Sequence, residues 1–248
     1  MQEFSFVESW WQFLVVAIVC YLVGCFNFAV FISRLKGNDV TKLGSGNPGT
    51  MNMSREFGLK IGLLTFFCDA LKGGIPALIG YFIYRNFVFA GTSVLVADFI
   101  RYFCGTFVVV GHIFPVTMRF KGGKGIASTL GLFWVSLSCE NIWLLLISFA
   151  WLLCLVVFIL LTEWGSLGSL LGVSVFSVIQ LVIFFFRYNA QGVNAYLVCT
   201  YSLILVINLL TWFAHHKNLA RLFSGEEHRT SIKKLAQKRK IKKESDKV

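Results

Sequence analysis

GHIFPVTMRFKGGKG, residues 111–125, is the stretch on which the fold turns. It holds four glycines, two lysines, an arginine and a histidine, yet apolar residues run up to it from position 88 and away from it through position 138. A segment this polar is costly to place in hydrocarbon, so between two apolar runs it belongs at a membrane face. The pattern recurs on either side of it. GSGNPGTMNMSREFG (44–58) and HHKNLARLFSGEE (215–227) are polar, basic and glycine-containing, and each also follows an apolar span.

The composition excludes a soluble domain. Apolar residues make up 56% of the 248 and charged residues 14%, against about 25% charge in an average soluble chain. Spans of roughly 20 apolar residues cross a bilayer. Seven are expected, at about 13–33, 61–84, 88–113, 126–138, 142–161, 167–186 and 196–213, the fourth short for a full crossing. The predicted fold is therefore all-α and polytopic: one membrane-embedded domain over residues 1–230, then a polybasic tail, 231–248, suited to anionic headgroups. A cleaved signal is not expected, because Glu3 and Glu8 but no Lys or Arg precede the first span. The net charge of +11 sits beside the spans, which argues for membrane lipid and against nucleic acid as partner. Seven cysteines without a CxxC pair suggest neither a disulfide framework nor zinc.

Charge sets the expected orientation. With the N-terminus outside, the first two inner segments carry Arg34, Lys36, Lys42, Arg55, Lys60, Arg119, Lys121 and Lys124, and eleven more basic residues follow Phe213. The outer segments carry Arg85 and Arg187. The positive-inside rule then puts the C-terminus and all three polar segments in the cytoplasm.

Each segment suits a small anion. Gly44-x-Gly46-x-x-Gly49 matches a dinucleotide fingerprint only formally, since no strand precedes it. Its glycines can still form an anion nest. Ser45, Asn47, Thr50 and Asn52 add donors, and Arg55 adds a planar cation. Lys121-Gly122-Gly123-Lys124-Gly125 lacks the Gly-Lys-Ser/Thr order of a nucleotide loop, but it places two lysines at a helix N-terminus. His215, Asn218 and Arg221 recur every third residue and line one side of a helix that Gly225 ends, with Glu227 beyond. His216 and His228 read as bystanders. Ser166, in the turn before the sixth span, can add a donor. Asp69 with Lys72, and Asp98 with Arg101, stand three apart within spans and read as structural ion pairs. No metal cluster is expected, and neither is the His-x₄-Asp pair of soluble-face acyltransferases. Basic loops at a membrane face also fit an alternative, a transporter of phosphate or organophosphate, although no inverted repeat is visible.

The three segments, in this order, resemble the bacterial acyl-phosphate:glycerol-3-phosphate acyltransferases. The family pattern G-S-G-N-x-G-A-T-N…R-x-x-G is met from Gly44 to Gly58, with Thr50 and Met51 in place of Ala-Thr. G-H-x-F-P-V…F-K-G-G-K-G-V-A-T is met from Gly111 to Ser128, with Ile126 and Ser128 substituted. H-x-x-N-x-x-R-L-x-x-x-G-x-E is met from His215 to Glu227, and D-x-x-K-G at Asp69, Lys72 and Gly73. The resemblance implies a seven-span enzyme of the bacterial inner membrane with a cytoplasm-facing site and no cofactor. It implies acyl transfer from acyl phosphate to position 1 of glycerol 3-phosphate, and a functional link to the soluble enzyme that makes acyl phosphate. Lys121 to Gly125 would bind the phosphate of glycerol 3-phosphate. Ser45, Arg55, His215 and Asn218 would carry activity, with Lys124 helping to hold the acyl-phosphate headgroup.

Overall fold

The computed structural model describes residues 1–227, so the polybasic tail and His228 lie outside the described residues. Helices dominate. In chain order they are α1 (Phe6–Cys25), α2 (Phe28–Leu35), α3 (Thr50–Phe57), α4 (Leu59–Tyr84), α5 (Val96–Ile113), α6 (Ile126–Glu140), α7 (Trp143–Thr162), α8 (Gly165–Tyr188), α9 (Ala195–Ala214) and α10 (His216–Phe223). Six spans are long and apolar enough to cross a membrane: Phe6–Leu35, Leu59–Tyr84, Val96–Met118, Trp143–Thr162, Gly165–Gln191 and Ala195–Ala214. Helix α6 is shorter, and at 1.5 Å per residue it reaches about 22 Å, less than the roughly 30 Å of a hydrocarbon core. Most of it is buried by its neighbours, as a short span requires.

Two expected spans differ at their ends. The first begins at Phe6 instead of 13 and carries exposed Trp10 and Trp11 on its opening turns. It also breaks at Phe26–Asn27. There Asn27 Oδ1 accepts from the Val30 amide at 3.0 Å and caps a new helix. The third expected span starts eight residues late. Phe87–Phe89 (β2) instead pairs in parallel with Gln2–Phe4 (β1). Gly91, at φ +71°, turns the chain before α5 begins. This small sheet caps the end of the bundle opposite the polar segments, with Phe89 stacked on Tyr196 at 4.0 Å.

The bundle is built on backbone-to-backbone crossings. A Cβ on Gly73 of α4 would lie 1.9 Å from Ser128 O of α6, and one on Gly131 of α6 would lie 1.9 Å from Ala70 O of α4. Only glycine permits that approach, which is how membrane helices pack without a hydrophobic drive between them. The α1–α5 crossing follows the same rule, since a Cβ on Gly111 would lie 2.2 Å from Tyr21 O. These crossings fix where α6 starts and α5 ends, and the 111–125 segment joins those two points.

Far from the polar segments, four charges close into a box. Arg101, fully buried, donates to Asp98 Oδ1, to Glu140 Oε1 at 2.6 Å and to Ser136 O at 2.7 Å. Arg187 donates to Asp98 Oδ2 at 2.8 Å and to Glu140 Oε2. Tyr188 Oη donates to Asp98 Oδ2 at 2.6 Å. The sequence reading of Asp98 with Arg101 as a structural pair is thereby enlarged to a balanced quartet.

Candidate active site at the polar end of the bundle

The break after α1 is the common anchor of two polar segments. Asn27 Nδ2 donates to Pro48 O at 3.2 Å, which ties down the first segment. Thr117 Oγ1 donates to Cys25 O at 3.1 Å and Tyr21 Oη to Phe114 O at 3.0 Å, which tie down the second. A satellite core of Ala29, Val30, Val40 and Met53, with Met118 packed against it, fills the space between them. Lys72 completes the anchor. Its ammonium pairs with Asp69 at 3.0 Å and donates to Phe26 O at 2.8 Å and Gly24 O at 3.3 Å. The expected structural role of Asp69 and Lys72 therefore has a specific form: they tie the frayed end of α1 to α4.

The second and third segments meet directly. Lys124 Nζ donates to Asn218 Oδ1. Asn218 Nδ2 donates to Ser166 Oγ and to Glu227 Oε1, both at 2.8 Å. Ser166 Oγ donates to Glu227 Oε1 at 2.6 Å, and Arg221 Nε to Glu227 Oε2 at 3.3 Å. Glu227 is thus the hub that fixes Asn218, Ser166 and Arg221, while Gly225, at φ +76°, turns the chain after α10 to bring it there. Burial raises the Glu227 carboxyl, but hydrogen bonds from Ser166 and Asn218 and the Arg221 charge outweigh it and leave the pKa lowered. Burial lowers the Lys124 ammonium to about 8; Glu227 opposes this and the Arg221 and Arg55 charges add to it. His215, buried beside it, falls to about 4 through burial first and the Lys124 charge second. At neutral pH its ring is uncharged. Nδ1 donates to Thr211 O at 2.8 Å, an assignment that follows from the carbonyl partner, and Nε2 keeps a free lone pair.

In the first segment, Ser45 is exposed on its loop and Arg55, half-buried on α3, forms no ion pair among the described residues. The Arg55 charge reaches Lys124, which places α3 beside the site. Asn47 is half-buried, and its amide leans on Ser45 Oγ at 3.5 Å.

Three expectations change. Asn52 does not face a ligand: it is 1% exposed, accepts from the Ser45 amide at 3.1 Å and donates to Leu43 O at 2.9 Å and Val40 O at 3.2 Å. It is the buried staple that shapes the Gly44–Gly49 loop. The expected backbone nest is closed as well. The amides of Ser45, Gly46 and Gly49 bond within the loop, and those of Gly122 and Gly123 bond to Ile113 O and His112 O at 3.0 and 3.1 Å. Anion binding therefore falls to side chains and to the α6 N-terminus. Gly44, at φ +55°, lies against the Asn52 and Glu56 side chains, and Gly46 has φ +70°. Lys121 is exposed at the rim and Gly125, at φ +79°, starts α6. Ser166, expected as a donor to substrate, spends its proton on Glu227.

Sequence reasoning passed over Asn27, His112 and Thr117. Asn27 had a legible signal, a capping residue ahead of the apolar run FAVFISRL. His112 stands in the 111–125 stretch, but its contact with Gly123 shows only in the folded loop, and the partner of Thr117, Cys25, is 92 residues away.

Among the described residues, Lys124, Arg55 and Arg221 gather here with the Glu227 carboxylate and a neutral imidazole at the end of an apolar bundle, with Lys121 and Glu56 at the periphery. Cations at the end of an apolar bundle can hold phosphates while an alkyl chain stays in lipid. Comparison with known proteins agrees with that chemistry. The sequence model of the glycerol-3-phosphate acyltransferase family matches residues 14–225. The chain is 37% identical over 217 residues to the glycerol-3-phosphate acyltransferase of Aquifex aeolicus, covering 87% of this chain and 98% of that one. With the same-named protein of Mycoplasmopsis pulmonis it is 36% identical over 222 residues, covering 86% and 91%. Crystal structures of the integral membrane glycerol 3-phosphate acyltransferase PlsY, in its glycerol 3-phosphate and lysophosphatidic acid forms, superpose with TM-scores of 0.67 and 0.69. Identity to them is 33% and 32%, and each comparison covers 88% of this chain and 95% of the other.

Proposed function

The chain belongs to the glycerol-3-phosphate acyltransferase family, and from that premise we propose that it transfers a fatty acyl group from acyl phosphate to the 1-hydroxyl of glycerol 3-phosphate. The products are lysophosphatidic acid and phosphate. The single observation that carries this reading is the Lys124–Asn218–Ser166–Glu227 network, which holds a cation near enough to neutral His215 to lower its pKa, at the polar end of the bundle.

Acyl phosphate as donor rests on the motif resemblance and on the excess of cations, since both substrates then carry phosphate. The donor is already a mixed anhydride, so positioning and charge stabilisation do most of the work. The glycerol oxygen attacks the acyl carbonyl carbon. As that C–O bond forms, the C–O bond to phosphate breaks, and phosphate leaves with the electron pair. His215 Nε2 accepts from the attacking hydroxyl and orients it. With a pKa of about 4 the ring is a weak base, so the proton passes to a phosphate oxygen. Lys124 and Arg55 hold the phosphates, assisted by Ser45 and Lys121. No cofactor enters this scheme.

The membrane topology supported by charge is N-terminus outside, seven crossings counting the sheltered α6, and a cytoplasmic site in a bacterial inner membrane. Residues 1–230 act as one domain and residues 231–248 as an anionic-lipid tether, with the soluble maker of acyl phosphate as the upstream partner.

Purified full-length protein supplied with labelled glycerol 3-phosphate and either palmitoyl phosphate or palmitoyl-CoA tests the donor. Lysophosphatidic acid from palmitoyl phosphate alone is expected. Efficient use of palmitoyl-CoA would overturn the donor assignment, and an acyl adduct trapped on Ser45 would overturn direct transfer.

A further inference from the structure

His112 is buried at the end of α5 and takes no part in the scheme above. Its backbone oxygen accepts from the Gly123 amide at 3.1 Å, and the next carbonyl, Ile113 O, accepts from Gly122 at 3.0 Å. Its ring lies directly under the loop: a Cβ on Gly123 would stand 2.2 Å from His112 Nε2. The other ring nitrogen, Nδ1, is buried without a hydrogen-bond partner among the described residues and faces Asp69 Oδ1 at 3.8 Å. Asp69 holds Lys72, and Lys72 holds Phe26 O, one residue before the Asn27 that ties down Pro48. One run of contacts therefore passes from the Lys121–Gly125 loop, through His112, Asp69 and Lys72, to the Gly44–Gly49 loop.

We infer that His112 is the positioning residue of the Lys121–Gly125 loop. Its ring is the surface on which Gly123 sits, and the Asp69–Lys72 pair beneath the ring sets its height relative to the first loop. This inference rests on the acyl-transfer reading for its substrate: the loop being positioned is the one assigned to the phosphate of glycerol 3-phosphate. It explains why two glycines stand where no amide is left for an anion. Gly122 is required by a backbone oxygen, because its Cβ would lie 2.0 Å from His112 O, whereas Gly123 is required by the ring.

That difference gives the test. In full-length enzyme, Gly123→Ala is expected to raise KM for glycerol 3-phosphate about tenfold or more with a smaller change in kcat. His112→Ala is expected to raise it severalfold. In the double variant the ring that opposes the new Cβ is gone, so its KM is expected to match that of His112→Ala, well below the product of the two single effects. Gly122→Ala meets backbone, and its defect is expected to persist in the His112→Ala background. Multiplicative effects for Gly123→Ala with His112→Ala, or equal relief of Gly122→Ala, would overturn the inference. Hydrogen exchange of the peptide spanning residues 113–126 reads the same contacts without catalysis. Faster exchange in Gly123→Ala should return to the His112→Ala level in the double variant. An enzyme inactive with every donor but showing this pattern refutes the acyl-transfer reading and keeps the positioning role. Exchange unchanged by Gly123→Ala refutes the positioning role.

Discussion

The two ends of α6 carry opposite charge designs. At its C-terminal end, Glu140 joins Asp98, Arg101 and Arg187 in a box of two cations and two anions, and the Arg101 guanidinium is enclosed. At its N-terminal end, among the described residues, Lys124 stands with Arg55 and Arg221 around the Glu227 carboxylate, and Arg221 is the cation paired to it. The first is a closed account, in which each charge has its partner and nothing is left for a ligand. The second keeps a surplus of positive charge that folding alone does not explain. Buried charge in a membrane protein is commonly taken as a sign of function. Here balance separates the two cases, and the unbalanced end is the one proposed as the site.

Breaking the box should give the largest effect, and it should be on stability. Arg101→Met leaves Asp98 and Glu140 buried with half their partners, a loss on the order of 3–5 kcal/mol. Its thermal midpoint in detergent is expected to fall sharply, while kcat per folded molecule changes little. A stable but inactive Arg101→Met would erase the distinction between the ends. At the other end, Asn218→Ala removes the acceptor of Lys124 and a donor to both Ser166 and Glu227. A hydrogen bond that holds a charged group in place contributes about 1.5–3 kcal/mol, and with Lys124 released from its position kcat/KM should drop roughly 10- to 100-fold.

The same contrast extends to pH. Burial lowers the Lys124 ammonium to about 8, so the free enzyme loses that cation as pH rises through 8. The kcat/KM for glycerol 3-phosphate should therefore decline toward tenfold per pH unit above that point. A limb that stays flat to pH 10 would show that Lys124 is not the required charge. The smallest change is expected for Ser166→Ala, which removes a donor to the Glu227 carboxylate and an acceptor of Asn218 but leaves Asn218 and Arg221 on that carboxylate, a net loss of about 1 kcal/mol. A roughly fivefold fall in kcat/KM is expected, and a loss as large as that of Asn218→Ala would make Ser166 a direct substrate ligand.

Most of the bundle was legible because apolar run length and polar interruption are local properties. The convergence of Lys124, His215, Asn218 and Ser166 was legible for a related reason: all four stand at span ends that charge placed on one side. What escaped depends on tertiary closure. Asn52 looks like a ligand donor by type, and only its partners Val40, Leu43 and Ser45 make it a staple. The glycines of the first two segments suggested a nest of free amides, but the amides of Ser45, Gly122 and Gly123 are taken by Asn52 Oδ1 and by carbonyls at the end of α5. Glu140 and Arg187 lie 47 residues apart, and nothing in either neighbourhood marks the other. The three-residue strands at Gln2–Phe4 and Phe87–Phe89 are too short to carry an alternating pattern.

In the proposed reaction, Lys124 is the cation around which acyl transfer is organised. The most direct measurement is the rate of lysophosphatidic acid formation from palmitoyl phosphate and glycerol 3-phosphate, per folded molecule, in wild type and Lys124→Met. A loss of about 100-fold or more is expected in Lys124→Met, with the thermal midpoint retained. Product formation within severalfold of wild type would contradict it.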